Sequence, residues 1–296
     1  MSTAAAIPLH RRFLRQFALS FQAIRFSHSI FALPFALLSM FMAAGGRPPA
    51  RVFFWIVVAC VGARSAAMSF NRLHDEAIDR LNPRTKEWPL ASGRLSRMFL
   101  LVFFLCAVTV FFVAAGMLNR LALMLAPLAL VVLLGYSTTK RWTQLSHFVL
   151  GAALGIAPGG AWIGVAGRLD WPPVLMGLGV LCWTAGFDII YSCQDDEFDR
   201  RMGLYSLPSR LGRASALRIS RLVHAIAIVL FAAVALTSSL GVWYALAVAA
   251  AGCMLVWEQS IVSPNDLSRL NAAFFTANGW VSVLIMAGGL ADLFTK

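Results

Sequence analysis

Two short acidic segments are the part of this sequence best equipped for chemistry. Residues 71–79 (NRLHDEAID) and 191–199 (YSCQDDEFD) hold seven of the thirteen acidic residues in a chain of which only 13% is charged. Each segment follows a long apolar run. Carboxylates beside a lipid phase cost free energy unless a positive charge compensates them, so the two segments predict a shared cation. A hard metal ion that prefers oxygen ligands meets this requirement best.

The spacing within each segment predicts a common face. Each segment carries three polar residues at intervals of four, namely Asn71, Asp75 and Asp79 in the first and Tyr191, Asp195 and Asp199 in the second. On a continuous helix such residues line one side. Carboxylates one turn apart can chelate Mg²⁺, which typically bridges protein carboxylates to substrate phosphates. Asp196 and Glu197 point elsewhere and are predicted to form a solvated face. The alternative is that both segments are only solvated helix ends.

Two further charged residues lie deeper on the same predicted helices. Arg64 precedes Asn71 by seven residues and Asp188 precedes Asp195 by seven. Each therefore shares the face of its motif, about 10 Å further along the helix. A buried arginine can bind a carboxylate bidentately, and a buried aspartate can take a proton from a phenol. The alternative is a structural Arg64–Asp188 ion pair without substrate contact.

Basic residues follow both acidic segments and also stand between them. They are Arg72, Arg80, Arg84, Lys86, Arg94, Lys140, Arg141, Arg200, Arg201, Arg210 and Arg213. Some of them serve only as topology determinants, but a site for a metal and a diphosphate needs one or two. Arg72, Lys140 and Arg141 are the predicted diphosphate contacts.

The composition is that of a polytopic membrane protein. Hydrophobic residues make up 59% of the 296, and the mean hydropathy is +0.75, well beyond the range of soluble domains. Apolar stretches near the length that a helix needs to cross the hydrocarbon core recur nine times. They lie at about 29–46, 52–70, 98–116, 121–136, 146–166, 171–190, 219–236, 241–257 and 271–291. The predicted fold is all-α, with nine transmembrane helices.

The positive charge follows loop sidedness and does not indicate nucleic acid. Of the 25 Lys and Arg residues, 19 fall on the side predicted to carry the amino terminus and five on the other. This bias places both acidic segments in the cytoplasm and the carboxyl terminus outside. Within residues 1–28, arginines occupy one face of a helical wheel and aromatic residues the other, which predicts an amphipathic segment on the membrane surface.

The chain is predicted to form one domain over residues 1–296. A span, an acidic segment and a basic loop occur in the same order twice, which suggests two four-helix halves with the ninth helix appended. The five cysteines show no CxxC spacing, which argues against a zinc site or a disulfide framework. The sequence has neither a GxGxxG fold context nor a GxSxG motif, which argues against nicotinamide and serine-hydrolase chemistry.

The motifs resemble those of the UbiA superfamily of intramembrane prenyltransferases, which carry N-x-x-x-D-x-x-x-D and a second D-x-x-x-D. Further segments resemble the bacterial 4-hydroxybenzoate polyprenyltransferase-like branch, which includes members of the futalosine route to menaquinone. These segments are HSIFALP (28–34), NPRT (82–85), KRWT (140–143), IAPGGAW (156–162) and GLYSLPSRLG (203–212). The resemblance implies nine helices around a central cavity, with Mg²⁺ bridging a polyprenyl diphosphate to both motifs.

The resemblance also implies roles for residues at matching positions. The implied metal ligands are Asn71, Asp75, Asp79, Asp195 and Asp199. The implied catalytic residues are Asp75, Asp79, Asp188, Asp195 and Asp199. The predicted substrate-binding residues are Arg64, Asn71, Arg72, Lys140, Arg141 and Tyr191, of which Arg72, Lys140 and Arg141 are predicted from their charge and position and not from the resemblance.

The predicted function is Mg²⁺-dependent transfer of a polyprenyl group from its diphosphate to an aromatic quinone precursor in the bacterial inner membrane. The acceptor would be 4-hydroxybenzoate or a dihydroxynaphthoate. Two other classes use acidic residues in membranes. One is a CDP-alcohol-type phosphotransferase, whose D-x-x-D-G motif is missing here. The other is a non-enzymatic, cation-coupled transporter. The basic residues near both motifs argue against a transporter, because they suit a diphosphate.

Overall fold

The computed structural model of the chain describes residues 9–24, 31–270 and 276–295. These ranges fold into helices and contain no β-strand, so the predicted all-α class is confirmed. The helices are α1 (Leu9–Ala23), α2 (Leu33–Ala43), α3 (Ala50–Leu81), α4 (Arg97–Leu118), α5 (Arg120–Thr139), α6 (Ser146–Ala166), α7 (Trp171–Ser192), α8 (Asp196–Arg201), α9 (Leu207–Leu211), α10 (Arg213–Thr237), α11 (Val242–Ser260) and α12 (Asn278–Thr295).

Eight helices of the described part are long and apolar enough to cross a membrane, one fewer than predicted. They are α3, α4, α5, α6, α7, α10, α11 and α12. The first predicted span, 29–46, contains α2, an apolar helix of 11 residues. At 1.5 Å per residue α2 is about 16 Å long, which is shorter than the hydrocarbon core. Residues 29–30 of that span lie outside the described ranges, as do residues 271–275 of the last one.

The longest helix is long enough to carry the first acidic motif beyond the hydrocarbon core. Helix α3 has 32 residues. It is therefore about 48 Å long, against about 30 Å for a typical hydrocarbon core. The final dozen residues, which include Asn71, Asp75 and Asp79, lie in the excess length. A helix that overshoots in this way brings carboxylates to the membrane boundary, where water and metal ions can reach them.

Helices α6 and α7 make a close pair at the centre of the bundle, and α7 also packs on α10 while α6 packs on α2 and α5. The close approach depends on glycine. A Cβ on Gly155 of α6 would lie 2.5 Å from the backbone oxygen of Gly177 on α7, and Gly177 is restricted in the same way by Gly155. Since neither glycine has a side chain, the two backbones can nearly touch. A larger residue at either position would not fit.

Buried aromatic side chains connect four helices of the bundle. Phe35, Trp183, Phe231 and Tyr244 are fully buried and come from α2, α7, α10 and α11. The ring of Phe35 lies 5.4 Å from that of Trp183 and 5.3 Å from that of Phe231. Burial of such large rings removes much apolar surface and fixes the helices relative to one another.

Helix α1 covers residues 9–23 of the predicted amphipathic segment, whose residues 1–8 and 25–28 are outside the described ranges. Arg11 and Arg15 are exposed on it. The rings of Phe17 and Phe21 meet Phe103 of α4 edge to face. The Gln16 side chain bonds the backbone just before α4, donating to Arg94 O and accepting from Ser96 N. Helix α1 therefore rests on the loop that follows the first motif.

Candidate active site

The first motif forms one connected polar face at the end of α3. The Asn71 amide donates to Asp75 Oδ2 at 2.9 Å. Arg72 donates to Asn71 Oδ1 at 2.6 Å and to Asp79 Oδ2 at 3.0 Å. Four residues that the sequence predicts to act together are thus joined by hydrogen bonds. The continuous α-helix is what makes the predicted spacing hold here.

The second motif does not lie on one continuous helix, so that prediction is wrong. Helix α7 ends at Ser192, and α8 begins at Asp196. The Gln194 side chain donates to the backbone oxygen of Tyr191 and takes the place of a helical hydrogen bond. The break also moves the acidic run from the end of α7 to the first turn of α8, where the helix dipole favours negative charge.

Arg84 joins the two motifs across the site. Its Nε donates to Asp195 Oδ1 at 3.0 Å and its Nη2 to Asp195 Oδ2 at 2.6 Å, a bidentate pair. The Asn82 amide donates to the same Oδ1 at 3.3 Å. Asn82 and Arg84 follow directly on α3, so this loop connects the first motif to the second. The sequence interpretation counted Arg84 among the loop cations but gave it no role.

The predicted pair Lys140 and Arg141 reaches the same site from the end of α5. Arg141 donates to Asp75 Oδ1 and to the backbone oxygen of His74, both at 3.0 Å, and also contacts the His74 ring. Burial acts to lower the pKa of Lys140, but the negative charges of Asp199, Asp188 and Asp195 outweigh it. The pKa of this ammonium group is therefore raised, and it stays protonated beside these three carboxylates.

Aromatic rings flank the arginines. The guanidinium carbon of Arg72 lies 4.0 Å from the ring centre of Trp88, and that of Arg84 lies 5.4 Å from the same ring. Arg84 is also 5.5 Å from the ring centre of Tyr191, one of the predicted substrate-binding residues. Cation–π contacts of this kind hold guanidinium groups in place without consuming their hydrogen bonds.

The acidic residues of the second motif differ in their surroundings. Asp199 is buried, and its Oδ2 has no hydrogen-bond partner. Burial raises the pKa of the Asp199 carboxyl group even though the charge of Lys140 opposes the shift. Asp196, which was predicted to lie on a solvated face, is also buried, because Arg213 binds its two oxygens at 3.0 and 2.7 Å. Glu197 is exposed as predicted and pairs with Arg201.

The oxygen donors of the two motifs suit a hard divalent cation, although arginines now occupy several of them. Among the described residues, no three Asp, Glu, His or Cys side chains are close enough to hold a metal ion. Asp75, Asp79 and Asp195 each pair with a different arginine. The free Oδ2 of Asp199 is a buried acceptor without a donor. Carboxylate and amide oxygens of this kind are the donors that Mg²⁺ takes.

The deeper residues Arg64 and Asp188 have separate surroundings. Arg64 lies on the wall of an apolar cavity of about 660 Å³ that α2, α3, α4, α5, α6 and α7 enclose. Besides Arg64, Tyr136 is the main polar residue in that wall. Asp188 instead pairs with His147 of α6, at 2.7 Å between Oδ2 and Nδ1. His147 received no role from the sequence, because its partner lies 41 residues away on another helix.

Comparison with known proteins gives one consistent family. The model of the UbiA prenyltransferase family matches residues 32–280. A 4-hydroxybenzoate octaprenyltransferase of Cronobacter sakazakii is 29% identical over 256 residues, which cover 85% of this chain and 86% of that one. A second, from Tolumonas auensis, is 29% identical over 252 residues, with 85% and 87% covered.

Solved structures agree with this result. The apo structure of a UbiA homolog from Aeropyrum pernix K1 superposes with a TM-score of 0.81 at 33% identity, covering 90% of this chain and 98% of that one. A UbiA homolog from Archaeoglobus fulgidus bound to GPP and Mg²⁺ has a TM-score of 0.73 at 20% identity, with 93% and 99% covered, and so supports the fold. These findings favour prenyl transfer over the phosphotransferase and transporter alternatives. The chain belongs to the UbiA prenyltransferase family and is a multi-pass membrane prenyltransferase.

Proposed function

We propose that this enzyme transfers a polyprenyl group from its diphosphate to an aromatic acid of quinone biosynthesis, in a reaction that requires Mg²⁺. The acceptor is 4-hydroxybenzoate or a dihydroxynaphthoate. One observation carries the proposal. The Arg84–Asp195 pair brings two oxygen-rich motifs together beside an apolar cavity of about 660 Å³, so a diphosphate and a long hydrocarbon chain have adjoining places. The relatives from Cronobacter sakazakii and Tolumonas auensis support the choice of acceptor.

The polar face binds the diphosphate end of the donor. Arg72, Arg84 and Arg141 supply positive charge toward the phosphate oxygens once they turn away from their present carboxylate partners. Lys140 adds its charge from a position close to Asp199, Asp188 and Asp195. The ligands for the metal are Asn71, Asp75, Asp79, Asp195 and Asp199. When bound, Mg²⁺ neutralises charge that develops on the departing diphosphate. The rings of Trp88 and Tyr191 lie beside the guanidinium groups of Arg72 and Arg84.

The cavity binds the hydrocarbon chain and the acceptor ring. Its apolar wall excludes water, which protects the allylic cation from hydrolysis. Arg64, in the cavity wall, binds the acceptor carboxylate. Asp188 is not part of that wall and takes the proton of the acceptor hydroxyl group from the side of the polar face, where Lys140 and Arg84 lie near it. As the bond between the allylic carbon and the diphosphate oxygen breaks, a ring carbon donates its electron pair to that allylic carbon. The ring carbon then loses its proton to an oxygen of the departed diphosphate, and Asp188 returns its proton to the acceptor oxygen.

The charge distribution supports a cytoplasmic location for this site. Residues 71–97 and 191–222 carry 12 of the 25 Lys and Arg residues, and loops rich in positive charge tend to stay inside. Diphosphate donors made in the cytoplasm would then reach the polar face directly, while their hydrocarbon chains stay in the membrane phase.

A product assay tests the proposal. Purified protein is given a long-chain prenyl diphosphate together with 4-hydroxybenzoate or a dihydroxynaphthoate, with Mg²⁺ or with a chelator, and the products are identified by mass. We expect a prenylated aromatic acid from one acceptor, formed only with the metal. Transfer that persists in chelator would refute the metal requirement. If neither acid is prenylated, the proposed acceptor class is wrong.

A further inference from the structure

The imidazole of His147 connects Asp188 to the loop that follows the second motif. His147 lies on α6 and is fully buried. Its Nδ1 is 2.7 Å from Asp188 Oδ2 on α7. Its Nε2 is 3.2 Å from the backbone nitrogen of Leu207, the first residue of α9. Helices α6, α7 and α9 therefore meet at the His147 ring.

The Leu207 contact determines where the ring proton lies. A backbone N–H can only donate, so Nε2 must accept with its lone pair. The neutral ring then carries its proton on Nδ1 and donates it to Asp188 Oδ2. If both ring nitrogens were protonated, the Nε2–H group and the backbone N–H of Leu207 would be two donors facing each other without an acceptor. The fold thus fixes the tautomer with the proton on Nδ1.

The side chains of His147 and Asp188 differ in solvent exposure. The side chain of His147 has no exposed surface, whereas that of Asp188 is 19% exposed. His147 therefore closes one side of the carboxylate and leaves its other side open. The Nδ1–H donor stabilises the ionised carboxylate and restricts its rotation, which leaves Oδ1 as the oxygen able to receive a proton.

We propose that His147 is a positioning residue that holds the Asp188 carboxylate toward the hydroxyl group of the aromatic acceptor. The proposal rests on the function proposed above, in which Asp188 takes the hydroxyl proton. His147 exchanges no proton in the reaction, since Nδ1 keeps its proton throughout. It contributes by keeping Asp188 ionised and in one orientation, as fixed by the peptide N–H of Leu207.

His147 could instead serve only to anchor the 202–207 loop, so the experiment must separate these roles. His147→Gln retains one donor and one acceptor, while His147→Leu retains neither. Asp188→Asn keeps an oxygen that can accept from Nδ1 but removes the base. We expect His147→Leu to lower kcat about 10- to 100-fold, since the base becomes less well placed. The KM for prenyl diphosphate should stay unchanged, and His147→Gln should recover most of the lost rate.

The double variant decides between the two roles. If His147 acts through Asp188, His147→Leu should cost less than about twofold further in the Asp188→Asn background. Full multiplication of the two losses would show an independent, structural role and overturn the proposal. So would a His147→Leu variant with the kcat of the wild-type protein. His224→Gln is the matched control, because His224 is also buried but bonds Trp183 O and Gln259 instead. It should keep the wild-type kcat.

A measurement without turnover tests the same geometry. In ¹⁵N-histidine NMR of the wild-type protein, the resonances lost in His147→Gln should show a protonated Nδ1 and an unprotonated Nε2. A proton on Nε2 would overturn the proposal whatever the kinetics show. If the tautomer is as expected but the wild-type protein prenylates no aromatic acid, the proposed function has failed and the fixed His147–Asp188 geometry stands.

Discussion

At the scale of single residues, the site is a set of carboxylates held by arginines. Asp195 has the most complete pairing, with both oxygens bound by Arg84 and one also by Asn82. Bidentate pairs of this kind are strong and directional. The carboxylates are thereby held in position. They therefore lose little side-chain conformational freedom when a ligand replaces the arginine.

Removal of a single motif carboxylate should stop the reaction without unfolding the protein. We expect Asp75→Ala or Asp195→Ala to lower turnover at least about 100-fold, since each removes a ligand of the metal ion whose positive charge would stabilise the leaving diphosphate. Product formation and the melting temperature in detergent are the measurements. Glu197→Ala is the control, because Glu197 is exposed and pairs only with Arg201 at the surface. Substantial turnover in the double alanine variant of Asp75 and Asp195 would contradict the mechanism.

Arg64 should determine how well the acceptor binds. Without its guanidinium group, the acceptor carboxylate would be unpaired in an apolar cavity. We expect Arg64→Met to raise the acceptor KM about 10- to 100-fold, the cost of a lost charged hydrogen bond, with little change in the KM for prenyl diphosphate. Steady-state kinetics in both substrates measure this. If the acceptor KM is kept and the variant unfolds in mild detergent, Arg64 has a structural role instead.

At the scale of elements, the α6–α7 pair sets the distance between His147 and Asp188. Gly155→Ala would place a Cβ 2.5 Å from Gly177 O, so the helices must separate. We expect this change to destabilise the protein by about 1–3 kcal/mol and to lower activity. Gly160→Ala on the same helix is the control, because a Cβ there meets nothing within 4 Å. Equal melting temperatures for the two variants would contradict the close-packing argument.

The first motif could be predicted from the sequence because it depends on one helix. Asn71, Asp75 and Asp79 lie on α3 without interruption, so a period of four places them together. The second motif could not, because α7 ends at Ser192 and α8 begins at Asp196, a break that the spacing of the acidic residues does not signal. Arg84 and His147 act across helices, where spacing along the chain carries no information.

At the scale of the whole molecule, the predicted sidedness can be tested with introduced cysteines. The five native cysteines are first replaced by alanine. In sealed cells, we expect an impermeant thiol reagent to label Arg168→Cys and to spare Lys86→Cys, although both positions are exposed. Lys86→Cys should react after permeabilisation. Labelling of Lys86→Cys from outside would place the active site on the wrong face for donors made in the cytoplasm.

The arginine–carboxylate pairs have a consequence for the order in which ligands bind. A metal ion that arrives alone must break the Arg84–Asp195 and Arg72–Asp79 pairs and leaves those guanidinium groups without an anion. A diphosphate that arrives with the metal gives the same arginines new partners. The two ligands should therefore bind with strong positive cooperativity, which is reciprocal by linkage. Titration calorimetry should show weak binding of Mg²⁺ alone and tight binding beside an inert prenyl diphosphate analogue. Equal affinities would mean that the pairs do not oppose the metal.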